Sequence, residues 1–364
     1  MNNTISILNI DCDPDVSLIC DRYRIIDNTV DFVVYNRFDS LDSFINSNNN
    51  KIAIIRLWMI DQYPIEQLIK SVLPHCSYVI LFLPEGTECI LDIVKQLYCP
   101  RLILFFCGFC DTQLKTTPYM EWFYRTLHQP NIDNLSLLTP FDVKPKYFDI
   151  LLGHKNPART TVFDHIINSG YADINVLTYM NIASNAMNIF ERDETSFIMP
   201  DDGITPIVNN YTTTDQVLYK GHHLHLSTII PISIYNQTAY SFVVETQVIS
   251  DGVCFMTEKI VKPILAKRLF LVVAVPNYLQ NMRKLGFQTF DGIIDETYDT
   301  EEDSSIRINM ILEQLEYLIS QPQHEILEKI KPIVEHNQQH MLNFTRARGL
   351  VGISTYIQKT INRQ

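Results

Sequence analysis

Tyr240-Ser-Phe-Val-Val-Glu-Thr-Gln247, followed after a short loop by Phe255-Met-Thr-Glu-Lys-Ile-Val-Lys-Pro-Ile264, is the stretch whose reading decides the fold. An apolar strand ends on a carboxylate, Glu245, and a polar loop from Val248 to Cys254 leads to Thr257-Glu258-Lys259 at the start of a helix. That order sets two acids and a lysine around one crevice at the carboxyl end of a strand, where open α/β sheets bind their ligands. Carboxylates accept hydrogen bonds from hydroxyls, while a lysine and free helix N–H groups meet a diphosphate. The combination suits a sugar nucleotide.

Outward from this stretch the chain keeps alternating apolar runs with helical patterns. Tyr147–Gly153, Ile174–Thr178, Ser241–Glu245 and Leu269–Val273 read as strands of one α/β unit. Upstream, Ile5–Ile10, Phe32–Tyr35, Ile52–Leu57, Tyr78–Phe82 and Leu102–Phe106 read as strands of another, several of them continuously apolar and so buried on both faces. Ser40–Asn46, Ile65–Val72 and Thr87–Leu97 read as helices between them, and Tyr119–His128 as an aromatic helix. A β-α-β alternation predicts parallel sheets covered by helices. The polar stretches 129–136 and 139–145 are the linker candidates. The expected division is residues 1–140, residues 146–335, and a C-terminal helix over 336–364 that crosses back onto the first domain.

Composition narrows the function classes. With 364 residues, two domains are the default. A net charge of −12 argues against a general nucleic-acid or anionic-membrane binder, because such surfaces need a basic excess. The N-terminus lacks a basic segment followed by a long apolar run, and no apolar stretch approaches the roughly 20 residues that cross a bilayer. The expectation is a soluble, cytoplasmic protein with no transmembrane segment and no nucleic-acid partner. Eight cysteines are too sparse for a disulfide scaffold. Cys107-Gly-Phe-Cys110 has redox spacing, but it follows an apolar strand, and buried free thiols explain it better.

The segment from Tyr240 to Asp299 resembles the donor-binding half of the α-1,3-fucosyltransferase family and its bacterial and phage relatives. That family has a strand ending in Phe-x-x-Glu-Asn/Thr, a loop, Thr-Glu-Lys, and a helix feeding the next strand. Here the series continues with Arg268-Leu-Phe-Leu-Val-Val-Ala-Val-Pro-Asn-Tyr-Leu279, Leu285-Gly-Phe-Gln-Thr-Phe290 and Ile294-Asp-Glu-Thr-Tyr-Asp299. The resemblance implies a GT-B glycosyltransferase: α/β, with two Rossmann-like domains facing across a cleft. It would invert the anomeric centre while moving a sugar, fucose from GDP-fucose as first guess, to a glycan or other hydroxyl acceptor. It implies Lys259 on the diphosphate, Glu258 on ribose hydroxyls, Glu245 beside the donor sugar and Phe255 as a stacking face for the base. Thr257 is a helix cap in any reading. Thr246 stands where fucosyltransferases usually have Asn, and Phe255 where they often have Tyr, so the sugar is left open.

Gly153-His-Lys-Asn-Pro-Ala-Arg-Thr-Thr-Val-Phe163 follows a strand and opens a helix, which lands Arg159 in the first turn. Helix N–H groups and a guanidinium there form a diphosphate clamp, the place of the family's phosphate arginine; the plain alternative is a surface arginine near a cap. Lys155 is a second cation. The family takes its general base from the N-terminal domain, where Asp11, Asp13, Glu85, Asp111 and Glu121 are candidates, each of which an ordinary loop acid also explains. Asp11-Cys-Asp13 and Asp13-Pro-Asp15 resemble an Asp-x-Asp metal pair, but such pairs are common by chance and these sit beside the first strand; Gly221-His-His-Leu-His225 has metal-like density, but no matching Cys or acidic signature accompanies it. No metal cofactor is required if Arg159, Lys259 and helix dipoles neutralise the leaving diphosphate. The alternatives are a transferase of the same fold using another nucleotide sugar, and a non-catalytic sugar- or nucleotide-binding module.

Overall fold

The computed structural model describes residues 3–9, 30–36, 41–47, 50–56, 65–83, 93, 95–97, 99–106, 108–110, 116–118, 120–129, 131–180, 204–209, 212–219, 222–225, 229–249, 252–344 and 358–359. The chain divides into two compact units: 1–121 with 251–255 and 345–364, and 122–250 with 256–344.

In the first unit β1 (Asn3–Asn9), β2 (Val30–Asn36), β3 (Asn50–Arg56), β4 (Tyr78–Leu83), β5 (Leu102–Phe106) and β7 (Thr116–Pro118) form a sheet in the order β2-β1-β3-β4-β5-β7. Every pairing in it is parallel. The runs Ile52–Ile55, Val79–Leu81 and Leu102–Phe106 are buried throughout, as continuously apolar strands must be when helices cover both sheet faces. α1 (Leu41–Asn46) and α2 (Ile65–Val72) lie between strands. α2 buries Ile65, Leu68, Ile69 and Val72, the one-face spacing of an amphipathic helix. Lys51 lies in this core with its Nζ donating to the Ile45 carbonyl at 2.9 Å. Cys76 is a buried free thiol, pushed up to about 12 chiefly by burial. β6 (Gly108–Cys110) carries the second half of the Cys-x-x-Cys spacing; Cys107 and most of the predicted helix 87–97 lie outside the described residues. α3 (Glu121–Leu127) is the aromatic helix, and from Trp122 on it counts with the second unit.

The second unit is built on β8 (Lys146–His154), β9 (Val176–Met180), β13 (Thr238–Val244) and β15 (Phe270–Val273). All pair in parallel, in the order β15-β13-β8-β9. α4 (Pro157–Asn168) connects β8 to β9. An antiparallel meander, β10 (Ile204–Asn209), β11 (Thr212–Tyr219) and β12 (His222–His225), interrupts the return from β9 and places the histidine-rich stretch on a strand. α5 (Ile232–Gln237) leads into β13, and β14 (Val253–Phe255) pairs antiparallel with β6 in the first unit's set. Then come α6 (Glu258–Leu265), α7 (Tyr278–Lys284), α8 (Ser304–Ser320) and α9 (Gln323–Leu342). α9 runs through residue 336, so the expected boundary there falls inside one helix. Residues 345–364 count with the first unit.

A buried ion pair pins the amino-terminal half of this sheet. Arg268, 3% exposed, reaches Asp149 on β8 at 2.8 Å and Ser241 on β13 at 2.8 Å. Its remaining N–H groups go to the carbonyls of Tyr235, Thr238 and Tyr240 and to the Thr238 hydroxyl. A charge so enclosed is tolerable because its donors are met.

Candidate functional site

The chain leaves β8, crosses to β9 on one side, and returns as β13 on the other side of β8. The carboxyl ends of β8 and β13 therefore flank the topological switch point, the place where doubly wound sheets open a crevice. Two helices start there. α4 opens at Asn156, whose side chain accepts from the Arg159 N–H at 2.8 Å, with Pro157 in the first turn. α6 opens at Thr257, whose hydroxyl accepts from the Lys259 N–H at 3.2 Å. Both cap residues leave other first-turn N–H groups for a ligand.

Arg159 is 6% exposed. Gly153, at the end of β8, lies beside it: a methyl group there would stand 3.6 Å from the guanidinium, in ordinary contact. Burial pulls the Arg159 guanidinium below its ordinary value, against the opposing pull of Glu245 and Glu258. The arginine of α4 thus lies in the field of the two acids that flank the loop from β13 to α6.

Glu258 is nearly buried and pairs with the Lys259 ammonium at 3.3 Å. Burial pushes its carboxyl up, but Lys259, Lys262 and its own helix N–H outweigh that and hold it below the usual carboxylate range. Lys259 also touches the hydroxyls of Thr257 at 3.2 Å and Thr246 at 3.4 Å. Lys262, one turn on, has its amine lowered to about 8 by burial, with Glu258 opposing and Lys259 assisting. Arg159, Lys259, Lys262 and Glu258 therefore gather at one switch point, a charge set with the means to hold an anion and a hydroxyl together.

Glu245 occupies a different position from the one the resemblance implies. It is fully buried, and its carboxylate accepts from the Thr257 N–H at 3.1 Å, the Thr257 hydroxyl at 2.6 Å and the Tyr278 hydroxyl at 2.7 Å. Those three bonds tie β13 to α6 and α7. Phe255 is 6% exposed and sits in the β14 ladder opposite Gly108, so its ring presents almost no surface. Lys155 is exposed just ahead of the α4 cap. Of the base candidates, Asp11, Asp13, Glu85 and Asp111 lie outside the described residues, and Glu121 opens α3.

Sequence reasoning missed Tyr278 and Lys262. Lys262 had a readable signal, since Glu258 and Lys262 are four residues apart on a helix. Tyr278 had none, because its partner is 33 residues away. Asn277 has the residue type of a helix cap but does not act as one. It is the residue before α7, but in the left-handed conformation (φ 62°) and with no capping bond from its side chain. Asp299 performs that capping, accepting from Leu279 N–H at 2.7 Å and Gln280 N–H at 2.9 Å. Of the acids of 295–299, Glu296 and Asp299 are buried and Asp295 is exposed; Asp303, beyond them, caps α8.

Among the described residues no group of three or more His, Cys, Asp or Glu is placed to hold a metal ion, and no helix is long and apolar enough to cross a membrane. Compared with family models, curated proteins and solved structures, the chain matches none.

Proposed function

We propose that this chain is a glycosyltransferase of the GT-B class that binds a nucleotide-diphosphate sugar at the switch point of its second unit. The observation that carries the reading is the convergence of two helix N-termini, from adjoining parallel strands, with Arg159, Lys259 and Glu258. A diphosphate would lie against the N-termini of α4 and α6, where helix N–H groups and cations meet its charge. As the glycosidic bond breaks, negative charge grows on the diphosphate, and fixed donors oriented toward that position lower the barrier. Glu258 would accept from sugar or ribose hydroxyls. GDP-fucose is the first donor to try, on the strength of the ordered resemblance over 240–299. A general base is expected from Asp11, Asp13, Glu85, Asp111 or Glu121, and transfer would invert the anomeric centre. No metal is needed in this scheme.

The test is thermal denaturation with GDP, UDP, CDP and their sugars, with and without divalent cations. A ligand at about 100 times its dissociation constant that binds only the folded state adds roughly 2.7 kcal/mol. We expect a rise in Tm with at least one nucleoside diphosphate in the presence of a chelator. No rise with any nucleotide overturns the proposal; binding without transfer or hydrolysis of any donor reassigns the chain to a sugar-nucleotide-binding module.

A further inference from the structure

Glu245 directly follows β13, every residue of which is buried, and its carboxylate faces protein on every side the structure describes. Both oxygens are engaged: Oε1 accepts from the Thr257 N–H and the Tyr278 hydroxyl, and Oε2 accepts from the Thr257 hydroxyl. Thr257 is the residue that starts α6, and Tyr278 is the first residue of α7. Thr257 Oγ1 in turn accepts from the Lys259 N–H and lies 3.2 Å from the Lys259 ammonium. A continuous chain of bonds therefore runs from the α7 phenol through a buried carboxylate to the helix turn that carries Glu258 and Lys259. From these contacts we infer that Tyr278 and Glu245 are positioning residues: they fix the pitch of the first turn of α6, and through it the affinity of the site for a nucleoside diphosphate, without touching the ligand.

This rests on the diphosphate reading above and deepens it. A charged acceptor held by three donors in a buried setting is strong and directional, because hydrogen bonds to ions are shorter and stiffer than neutral ones. Removing the phenol leaves Oε1 with the backbone donor alone, and the α6 turn is then free to rotate about the Thr257 contacts. The diphosphate needs several α6 N–H groups and Lys259 at once, so a small rotation is felt as lost affinity. Glu245 is fully buried with both oxygens already bonded to protein donors, which leaves hydroxyl recognition to Glu258.

The experiment measures the affinity of GDP, UDP and CDP by calorimetry, together with Tm, for wild type, Tyr278→Phe, Glu245→Gln, Thr257→Val and Thr257→Ser. Measurements are made at a temperature where each variant is folded by circular dichroism. Expected are roughly tenfold weaker binding in Tyr278→Phe and Thr257→Val, the size of one charge-assisted hydrogen bond, with near-wild-type binding in Thr257→Ser, which keeps the hydroxyl. Inorganic pyrophosphate should weaken in parallel, because the effect is on the phosphate-binding turn and not on the base. A purely structural role lowers Tm and leaves the affinity of the folded fraction unchanged; that result in Thr257→Val and Tyr278→Phe overturns the inference while the diphosphate reading stands. Should Tyr278→Phe fail to fold, the Thr257→Val and Thr257→Ser pair decides. Wild type that binds no nucleoside diphosphate overturns both proposals.

Discussion

At the scale of single residues, the site is defined by charges that burial has made dependent on one another. Arg159 is enclosed and faced by Glu245 and Glu258, so its loss removes a fork of donors and exposes two acids to each other. Arg159→Lys keeps the charge but not the planar geometry. We expect Arg159→Ala to weaken nucleoside-diphosphate binding by about 1.5–3 kcal/mol and Arg159→Lys to recover only part of it, read by calorimetry. Lys262 supplies a pH test. Its amine is lowered to about 8 from an ordinary 10.5, so between those values the folded chain holds fewer protons than the unfolded one. Stability contributed by this group is therefore missing below about pH 8 and returns as the pH rises toward 10.5. The Tm of wild type relative to Lys262→Met should rise between pH 8 and 10; a constant or falling difference contradicts the assignment.

At the scale of elements, α6 and the turn that follows α7 are also held by side chains of α9. Gln338 donates to the last-turn carbonyl Leu265 of α6 at 2.6 Å, and His340 meets the Leu285 carbonyl beyond α7 at 2.8 Å. His336 meets the Gly286 carbonyl at 3.1 Å. Asn337, 1% exposed, makes a reciprocal pair with the backbone of Gln288, both bonds 2.8 Å. These contacts satisfy carbonyls that helix ends leave without partners. Gly286 takes φ +98°, and a methyl group there would come within 2.9 Å of the His340 ring, so only glycine fits the turn that ends α7. Asn337→Leu should cost about 1–3 kcal/mol in urea unfolding, because it strands a backbone N–H and a carbonyl. Little change would mean that water replaces the amide.

At the scale of the molecule, each unit is organised by a parallel sheet, and in the second unit the work is divided between its two ends. The carboxyl end carries the site, and the amino-terminal half carries the Arg268–Asp149 pair with Ser241 and Thr238. Burial pushes the Asp149 carboxyl up, and Arg268 and Ser241 pull it back. Arg268→Met should cost roughly 3–5 kcal/mol by leaving a buried carboxylate uncompensated. Without Arg268 the folded carboxyl rises further above its unfolded value, so the folded state binds the extra proton. The variant should therefore regain stability relative to wild type as the pH falls, in urea titrations at pH 5 and pH 8. Equal losses at both values would show that the penalty is packing and not charge.

The sequence by itself determined the main strands of both parallel sheets and their order, but not the meander β10–β12. Continuous apolar runs such as Leu102–Phe106 and Tyr240–Val244 must be strands buried on both faces, and the helical patterns between them require parallel pairing. It also determined local chemistry that acts within a turn or two: Thr257 as the cap of α6 and Arg159 in the first turn of α4. Such signals depend on spacing along the chain, which sequence displays directly. Tertiary structure decided whatever depends on spacing across it. Only the strand order put the ends of β8 and β13 side by side, 92 residues apart at the Asp149–Ser241 contact. Only the fold closed Tyr278 onto Glu245 and turned a presumed ligand group into a buried strut. Likewise Asn277 has the residue type of a cap, yet Asp299, 20 residues on from Leu279, makes the bonds. A carboxylate looks the same in the sequence whether a ligand or the protein satisfies it; which of the two does so is settled by the neighbours that folding brings within about 3 Å.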